Sequence, residues 1–192
     1  ASDFELSPAA ELIGAVNTIV NRDGKLYGHI TDGEGFVANL KDHGIGVEGK
    51  DIVIFGAGGA ATAIQVQCAL DGAREISIFN IKDAFFERTL QTAEKIRKAV
   101  PECVVNVYDI ADTAKMTEEI QSNLEGSLAV FEEKNGALPV HRYVISNYCA
   151  GGIIQLCKSW FLHPETMSKE DLFAQYHTMI SLFFATISPE LS

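Results

Sequence analysis

Asp51-Ile52-Val53-Ile54-Phe55-Gly56-Ala57-Gly58-Gly59-Ala60-Ala61 joins a short apolar run to a cluster of glycines and small residues. The run Asp51 to Phe55 reads as a strand buried on both faces of a parallel sheet. Gly56 to Ala61 then follows the spacing G-x-G-x-x-A. In that spacing the first glycine permits a tight turn, the second lets a pyrophosphate approach the backbone, and Ala61 leaves room for helix against strand. The helix that follows turns free N–H groups toward a phosphate. Glycines alone would fit a purely structural strand-to-helix turn equally well. The apolar strand before them and the helical pattern after them favour a nucleotide.

Downstream of the turn, Ala60 to Leu70 reads as a helix, Glu75 to Phe79 as a strand, Phe85 to Ala99 as a helix and Val104 to Tyr108 as a strand. The order β-α-β-α-β is the mononucleotide-binding half of a doubly wound α/β sheet, with right-handed crossovers. Asn80, Lys82 and Asp83 follow the second strand, where a ribose contact is expected. A carboxylate there accepts from a 2′-hydroxyl, whereas Lys82 suits a 2′-phosphate. Asp83 reads equally well as a helix N-cap before Phe85.

Upstream, Gly14 to Asn21 and Lys25 to Ile30 read as strands, and Asn21-Arg22-Asp23-Gly24 supplies hairpin turn chemistry. Thr31 or Asp32 can cap a helix carrying Phe36, Val37 and Leu40 on one face and stopping at Gly44. On residue type alone Asp32 stands evenly between helix cap and catalytic acid, and Asn17 reads as a turn or edge residue.

The 192 residues are 47% hydrophobic and 21% charged, enough for one good core or two small ones. A net charge of −11 repels phosphate backbones and anionic lipid, so neither nucleic acid nor a membrane is an expected partner. The four cysteines have no C-x-x-C spacing and read as buried free thiols in a reducing compartment. The five histidines lack metal-ligand spacing, and no structural metal is expected. No apolar run reaches the roughly 18 residues of a membrane span, and the opening Ala-Ser-Asp-Phe-Glu-Leu is too acidic for a signal peptide, so a cytoplasmic location is expected.

After about Gln121 the pattern changes. Tyr143 to Leu162 is apolar on nearly all sides, and Ser168-Lys169-Glu170-Asp171 resembles a helix-start box before Leu172, Tyr176 and Ile180. Two packed helices are expected, their apolar faces buried against the first part of the chain or in a partner.

Three motifs in register carry a family resemblance: Gly14-Ala15-Val16-Asn17-Thr18, Thr31-Asp32-Gly33-Glu34-Gly35 and Gly56-Ala57-Gly58-Gly59-Ala60. In this order and spacing they resemble the shikimate/quinate dehydrogenase family, from about Leu6 to Gln121. Phe79-Asn80 with Asp83-Ala84-Phe85-Phe86 is similar to its quinate/shikimate branch, which uses either nicotinamide cofactor. The resemblance implies hydride transfer between NAD or NADP and a cyclic hydroxy acid, with Asn17 and Thr31 in substrate binding and Asp32 as the catalytic carboxylate. It also implies that Gly56, Ala57, Gly58, Gly59, Ala60, Asn80, Lys82 and Asp83 form the cofactor site.

The family's proton-shuttling Lys and its Ser-x-Ser lie upstream of the first motif and are not in this chain. Lys25, Lys41 and Lys50 stand in the wrong contexts. Its N-x-T-x-x-G-M and Gly-Met-Leu segments are absent downstream as well, so weak or no turnover is expected of the 192-residue chain. From Arg142-Tyr143 through Ala150-Gly151-Gly152-Ile153-Ile154-Gln155-Leu156 to Trp160, and again over Met167 to Leu172, the tail is similar to the last helices of TetR-type regulator effector domains. A helical cap, a fused chain and a homodimer through these helices all remain open. The expected organisation is α/β: a substrate-domain remnant over 1–44, a Rossmann-like parallel sheet over 45–121 and a helical segment over 122–192. A non-enzymatic nucleotide-binding or dimerisation protein is the alternative.

Overall fold

The structure is a computed structural model that describes residues 4–163 and 165–187. The chain divides between Asp112 and Thr113 into two compact units.

The first unit holds two three-stranded sheets. β1 (Phe4–Leu6), β2 (Thr18–Arg22) and β3 (Lys25–His29) are ordered β1-β3-β2, with β1 parallel and β2 antiparallel to β3. The β2–β3 turn forms as the residues predict: Asp23 and Gly24 take positive φ of 52° and 85°, and Asn21 Oδ1 accepts from the Gly24 N–H at 3.0 Å. Between β1 and β2 runs α1 (Pro8–Ile13). Here the sequence reading needs correction, because the strand expected from Gly14 starts only at Thr18. Gly14 is instead the left-handed cap of α1 (φ 76°), and Ser7 opens the helix by accepting from the Ala10 N–H. Ser-Pro before and Gly after are sufficient signals for a short helix.

The second sheet contains β4 (Asp51–Phe55), β5 (Glu75–Asn80) and β6 (Val104–Asp109), all parallel and ordered β4-β5-β6. α3 (Gly59–Leu70) and α4 (Ala84–Ala99) are the crossovers, and α2 (Asp32–Asp42) precedes the sheet. The expected β-α-β-α-β unit is therefore present. Its first strand differs from expectation: β4 is half-buried throughout, and β5 is the buried one. Among the described residues β4 is an edge strand, open along one side, and its Ile52 and Ile54 are packed against the core while staying half-buried.

One core packs α1 and α2 with the parallel sheet and its crossover helices, running from Ala9, Ala10 and Val37 through Ala63 and Val66 to Ile76, Ile78 and Ile96. Cys68 and Cys103 belong to this core. Burial pushes the Cys68 thiol up to about 11, a value that suppresses thiolate chemistry near neutral pH.

The second unit is helical: α5 (Thr113–Asn135), α6 (Arg142–Leu162) and α7 (Lys169–Ile187). The sequence reading expected two helices and missed α5, which runs unbroken across residue 121. Its apolar residues Met116, Ile120, Leu124 and Leu128 recur every fourth position, a helical signal that was available. Leu128 packs with Ile145 and Cys149 of α6, and Ile180 of α7 joins them. Ser168 forms the expected box, its Oγ accepting from the Asp171 N–H at 3.1 Å and donating to Asp171 Oδ2 at 2.8 Å. None of the described helices is long and apolar enough to cross a membrane.

Within the first unit the tightest backbone approach is at Gly33, where α2 crosses α3. A Cβ there would lie 2.3 Å from the Ala63 carbonyl oxygen and 2.7 Å from Gln67 Cβ. Alanine's better helix propensity is worth up to about 1 kcal/mol. A clash with backbone that cannot rotate away costs about 1–3 kcal/mol or more. Gly33→Ala is therefore expected to destabilise the unit by about 1–2 kcal/mol, lowering the urea midpoint with little change in slope. An unchanged midpoint would show that the two helices part freely.

Candidate functional site

The turn after β4 is held on both sides. Gly56, at φ 104°, donates its N–H to the Phe79 carbonyl at 2.8 Å. Its own carbonyl accepts from Gln65 Nε2 of α3 at 3.2 Å, with Gln65 fully buried. Gly58 is the α3 N-cap, and its carbonyl accepts from the Thr62 N–H at 2.9 Å and the Thr62 hydroxyl at 3.0 Å. The N–H groups of residues 59–61 precede that first helical bond and lie at the positive end of the helix dipole. A Cβ at Gly58 or Gly59 would meet nothing within 4 Å.

Beside this turn lies a cavity of about 360 Å³, lined among others by Gly14, Ala15, Asp32, Gly59, Ala60 and Arg88. Asp32 and Gly59 are the first residues of α2 and α3, and Phe85 of the same lining lies in the first turn of α4. Three helix N-termini thus border one space, a setting that favours negative charge. Arg88 adds a full positive charge and forms no ion pair among the described residues; its guanidinium lies 5.9 Å from the Phe85 ring centroid. Asp32 is the acidic residue of the lining and likewise has no ion-pair partner among the described residues.

Asn17 does not line the cavity. Its Oδ1 accepts from the Thr31 N–H at 3.0 Å, the Thr31 hydroxyl at 3.3 Å and the Thr18 hydroxyl at 3.1 Å. The G-A-x-N-T motif thereby holds the residue in front of Asp32. Thr31 sits at the cap position of α2, but its side chain makes no capping bond, so the capping expected of it is replaced by this link to Asn17.

A second cluster gathers at the carboxyl ends of β5 and β6. Asp83 Oδ1 accepts from the N–H groups of Phe85 and Phe86, at 2.9 and 3.1 Å, and from Asn80 Nδ2 at 3.2 Å. The N-cap reading of Asp83 is thus realised. No bond to its Oδ2 is formed among the described residues. Lys82 Nζ lies 3.3 Å from Asp109 Oδ2. The Ala111 backbone N–H, reinforced by Lys82, holds the Asp109 carboxyl below the usual carboxylate range.

The structure thus brings Asp32, Ala57, Gly59 and Ala60 to one cavity and sets Asn17 and Thr31 just behind it. Asn80, Lys82 and Asp83 form the separate cluster. Two residues were missed. Arg88 shares one face of α4 with Phe85, Gln91, Thr92 and Lys95, a polar stripe legible from helical spacing. Asp109 could have been noticed as an acidic residue ending the third strand. Among the described residues no group of three or more His, Cys, Asp or Glu is placed to hold a metal ion.

Comparison with known proteins bears on this geometry. Over 120 residues the chain is 52% identical to shikimate dehydrogenase (NADP(+)) of Listeria monocytogenes serotype 4b, covering 62% of this chain and 41% of that protein. The 120-residue segment is homologous to shikimate dehydrogenase. A crystal structure of Listeria monocytogenes shikimate 5-dehydrogenase in complex with shikimate and NAD matches at TM-score 0.60 and 52% identity, over 62% of this chain and 41% of that one. Quinate dehydrogenase from Corynebacterium glutamicum in complex with NAD matches at TM-score 0.52 and 26% identity, over 62% and 41%. The chain thus spans 41% of the length of the shikimate dehydrogenase it matches. No family model matches.

The cap role of Asp83 is open to direct measurement. Asp83→Ala is expected to cost about 1 kcal/mol in urea unfolding, and Asp83→Asn, which keeps an oxygen acceptor, under about 0.5 kcal/mol. Equal losses would count against the cap.

Proposed function

We propose that this chain supplies the dinucleotide-binding unit, and one wall of the substrate site, of an oxidoreductase moving hydride between NAD or NADP and a cyclic hydroxy acid of the shikimate or quinate class. The observation that carries the reading is the pair Gly58 and Gly59. Gly58 has an ordinary extended backbone, and neither glycine has a neighbour that a Cβ would strike. Packing gives no reason for glycine there, whereas a pyrophosphate lying on the N–H groups of residues 59–61 would. Relatives whose names and complexes specify shikimate or quinate with NAD or NADP support the same reading.

Bound at this turn, the nicotinamide would supply the acceptor for the hydride leaving the carbinol carbon. Asp32, on the cavity wall beside the turn, accepts a hydrogen bond from the substrate hydroxyl and draws its proton as the carbonyl forms. Asn17 Nδ2, next to it, offers a donor to a neighbouring hydroxyl, and the Thr31 hydroxyl, which donates to Asn17 Oδ1, offers an acceptor oxygen. The substrate-domain remnant then corresponds to residues 1–44 and the nucleotide unit to the sheet that follows. Asp32 lacks an ammonium partner among the described residues, which supports binding without efficient turnover in this chain alone.

Calorimetric titration tests the reading. NAD or NADP is expected to bind, and Gly58→Asp, which the fold has room for, to weaken binding by about a hundredfold through charge against the pyrophosphate. No heat with either dinucleotide would overturn the proposal. Shikimate-dependent NADH formation well above the Gly58→Asp control would overturn the weak-turnover part alone.

A second reading concerns the helical unit, which we propose pairs with a second copy. No residue from Tyr143 to Cys157 is charged, yet Val144 and Tyr148 of α6 are 55% and 70% exposed, and Leu182 of α7 is 65% exposed. Self-association there avoids the repulsion that a net charge of −11 imposes elsewhere. The tail's resemblance to regulator effector helices points the same way. Light scattering is expected to give a dimer that Tyr148→Glu converts to monomer; a monomeric parent chain would sink the idea.

A further inference from the structure

This inference rests on the nucleotide reading above and concerns which nucleotide is preferred. In a doubly wound sheet the adenosine ribose is met just past the carboxyl end of the second strand. In this chain that place is the end of β5, where Asn80, Lys82 and Asp83 stand, and Asn80 pairs in register with Asp109 of β6. The three charged side chains there are one ammonium and two carboxylates.

Their hydrogen bonds divide the work between them. Asp83 spends Oδ1 on the start of α4 and on Asn80, leaving Oδ2 as an acceptor suited to a ribose hydroxyl. Lys82 is the cation that could meet a 2′-phosphate, but its Nζ lies 3.3 Å from Asp109 Oδ2. Asp109 is itself fixed, because its Oδ1 accepts from the Ala111 N–H at 2.9 Å and its backbone is paired to β5. A fixed carboxylate holds the longer, more exposed lysine, not the reverse: their side chains are 27% and 69% exposed.

We infer that Asp109 is a specificity-determining residue of the dinucleotide site, drawing Lys82 away from the ribose so that NAD is accepted ahead of NADP. A 2′-phosphate brings close to two negative charges at neutral pH. It would meet Asp83 directly and find the neighbouring ammonium already paired with Asp109. A 2′-hydroxyl brings no charge and donates to Asp83. Asp109 does not touch the dinucleotide in this account; it positions Lys82.

Titration of the full 192-residue chain with NAD and NADP at fixed ionic strength, measured separately, tests this. Asp109→Asn keeps an oxygen for the Ala111 N–H and removes the charge. It is expected to tighten NADP by about tenfold while NAD stays within about twofold. Adding Lys82→Met to that variant is expected to abolish the gain, which a loss of structure at Asp109 would not predict. Lys82→Met alone is expected to leave NADP within about twofold, since the ammonium is already engaged.

An NADP-to-NAD ratio unmoved by Asp109→Asn overturns the inference, as does a gain that survives Lys82→Met. A tenfold loss of NADP on Lys82→Met alone also overturns it, because Lys82 would then already serve the phosphate; this arm holds even if the Asp109 variant does not fold. Failure of the parent chain to bind either dinucleotide overturns the nucleotide reading itself. Binding of both with the ratio unmoved overturns only the role of Asp109.

Discussion

Gly33 lies so close to the Ala63 carbonyl that any side chain there would force α2 and α3 apart. That contact brings two distant stretches together, the start of α2 with Asp32 and the start of α3 with Gly59. Both line one cavity because their helices cross at the point where one has no side chain. The shared core, from Val37 to Ala63 and Val66, holds the crossing in place. The antiparallel hairpin contributes indirectly. Asn17, just before β2, binds Thr31 just after β3, so the hairpin fixes the entry into α2 and hence Asp32.

The glycines of this chain answer to different demands. Gly14, Gly24 and Gly56 take positive φ and serve the backbone. Gly33 serves packing. Gly58 is the N-cap of α3, and around it and Gly59 the space is open. A glycine motif read from sequence mixes all three, which is why its spacing is a weaker guide than the contacts a Cβ would make.

The helical unit follows a different logic. Among the described residues, Leu128, Ile145 and Cys149 pack together, and Met116, Ile120, Ala150 and Ile154 are buried as well. α6 is apolar nearly all round, and beyond its contacts with α5 and α7 the side chains of Val144 and Tyr148 remain on the surface. At its start Arg142 pairs with Glu132 at 3.0 Å and Ser146 donates to Glu125 at 3.1 Å, and near its end the Trp160 indole N–H donates to the Met167 carbonyl at 3.1 Å. Both Gln121 and Ser146 donate to Glu125, holding its carboxyl below the usual range.

Local physics made the parallel unit legible from residues alone. Apolar runs, a glycine turn and capping residues such as Asp83 act within a few positions, so β4 to β6 and the helices between them follow from the sequence. So does the Asp23-Gly24 turn. What the sequence could not decide is what depends on neighbours distant in the chain. β4 reads as a buried strand but is half-buried, because burial depends on the strands beside it and the helices packed over it, none of which is fixed by its own residues. Gly14 reads as the start of a strand but ends a helix. Asn17 turned out to bind Thr31, and Lys82 to be engaged by Asp109, contacts that span a hairpin in one case and a whole crossover in the other. Residue types determined the glycine turn, the caps and the apolar runs of the parallel unit. Tertiary structure decided which of them stand together, because helix crossing and sheet register place side chains that no local rule relates.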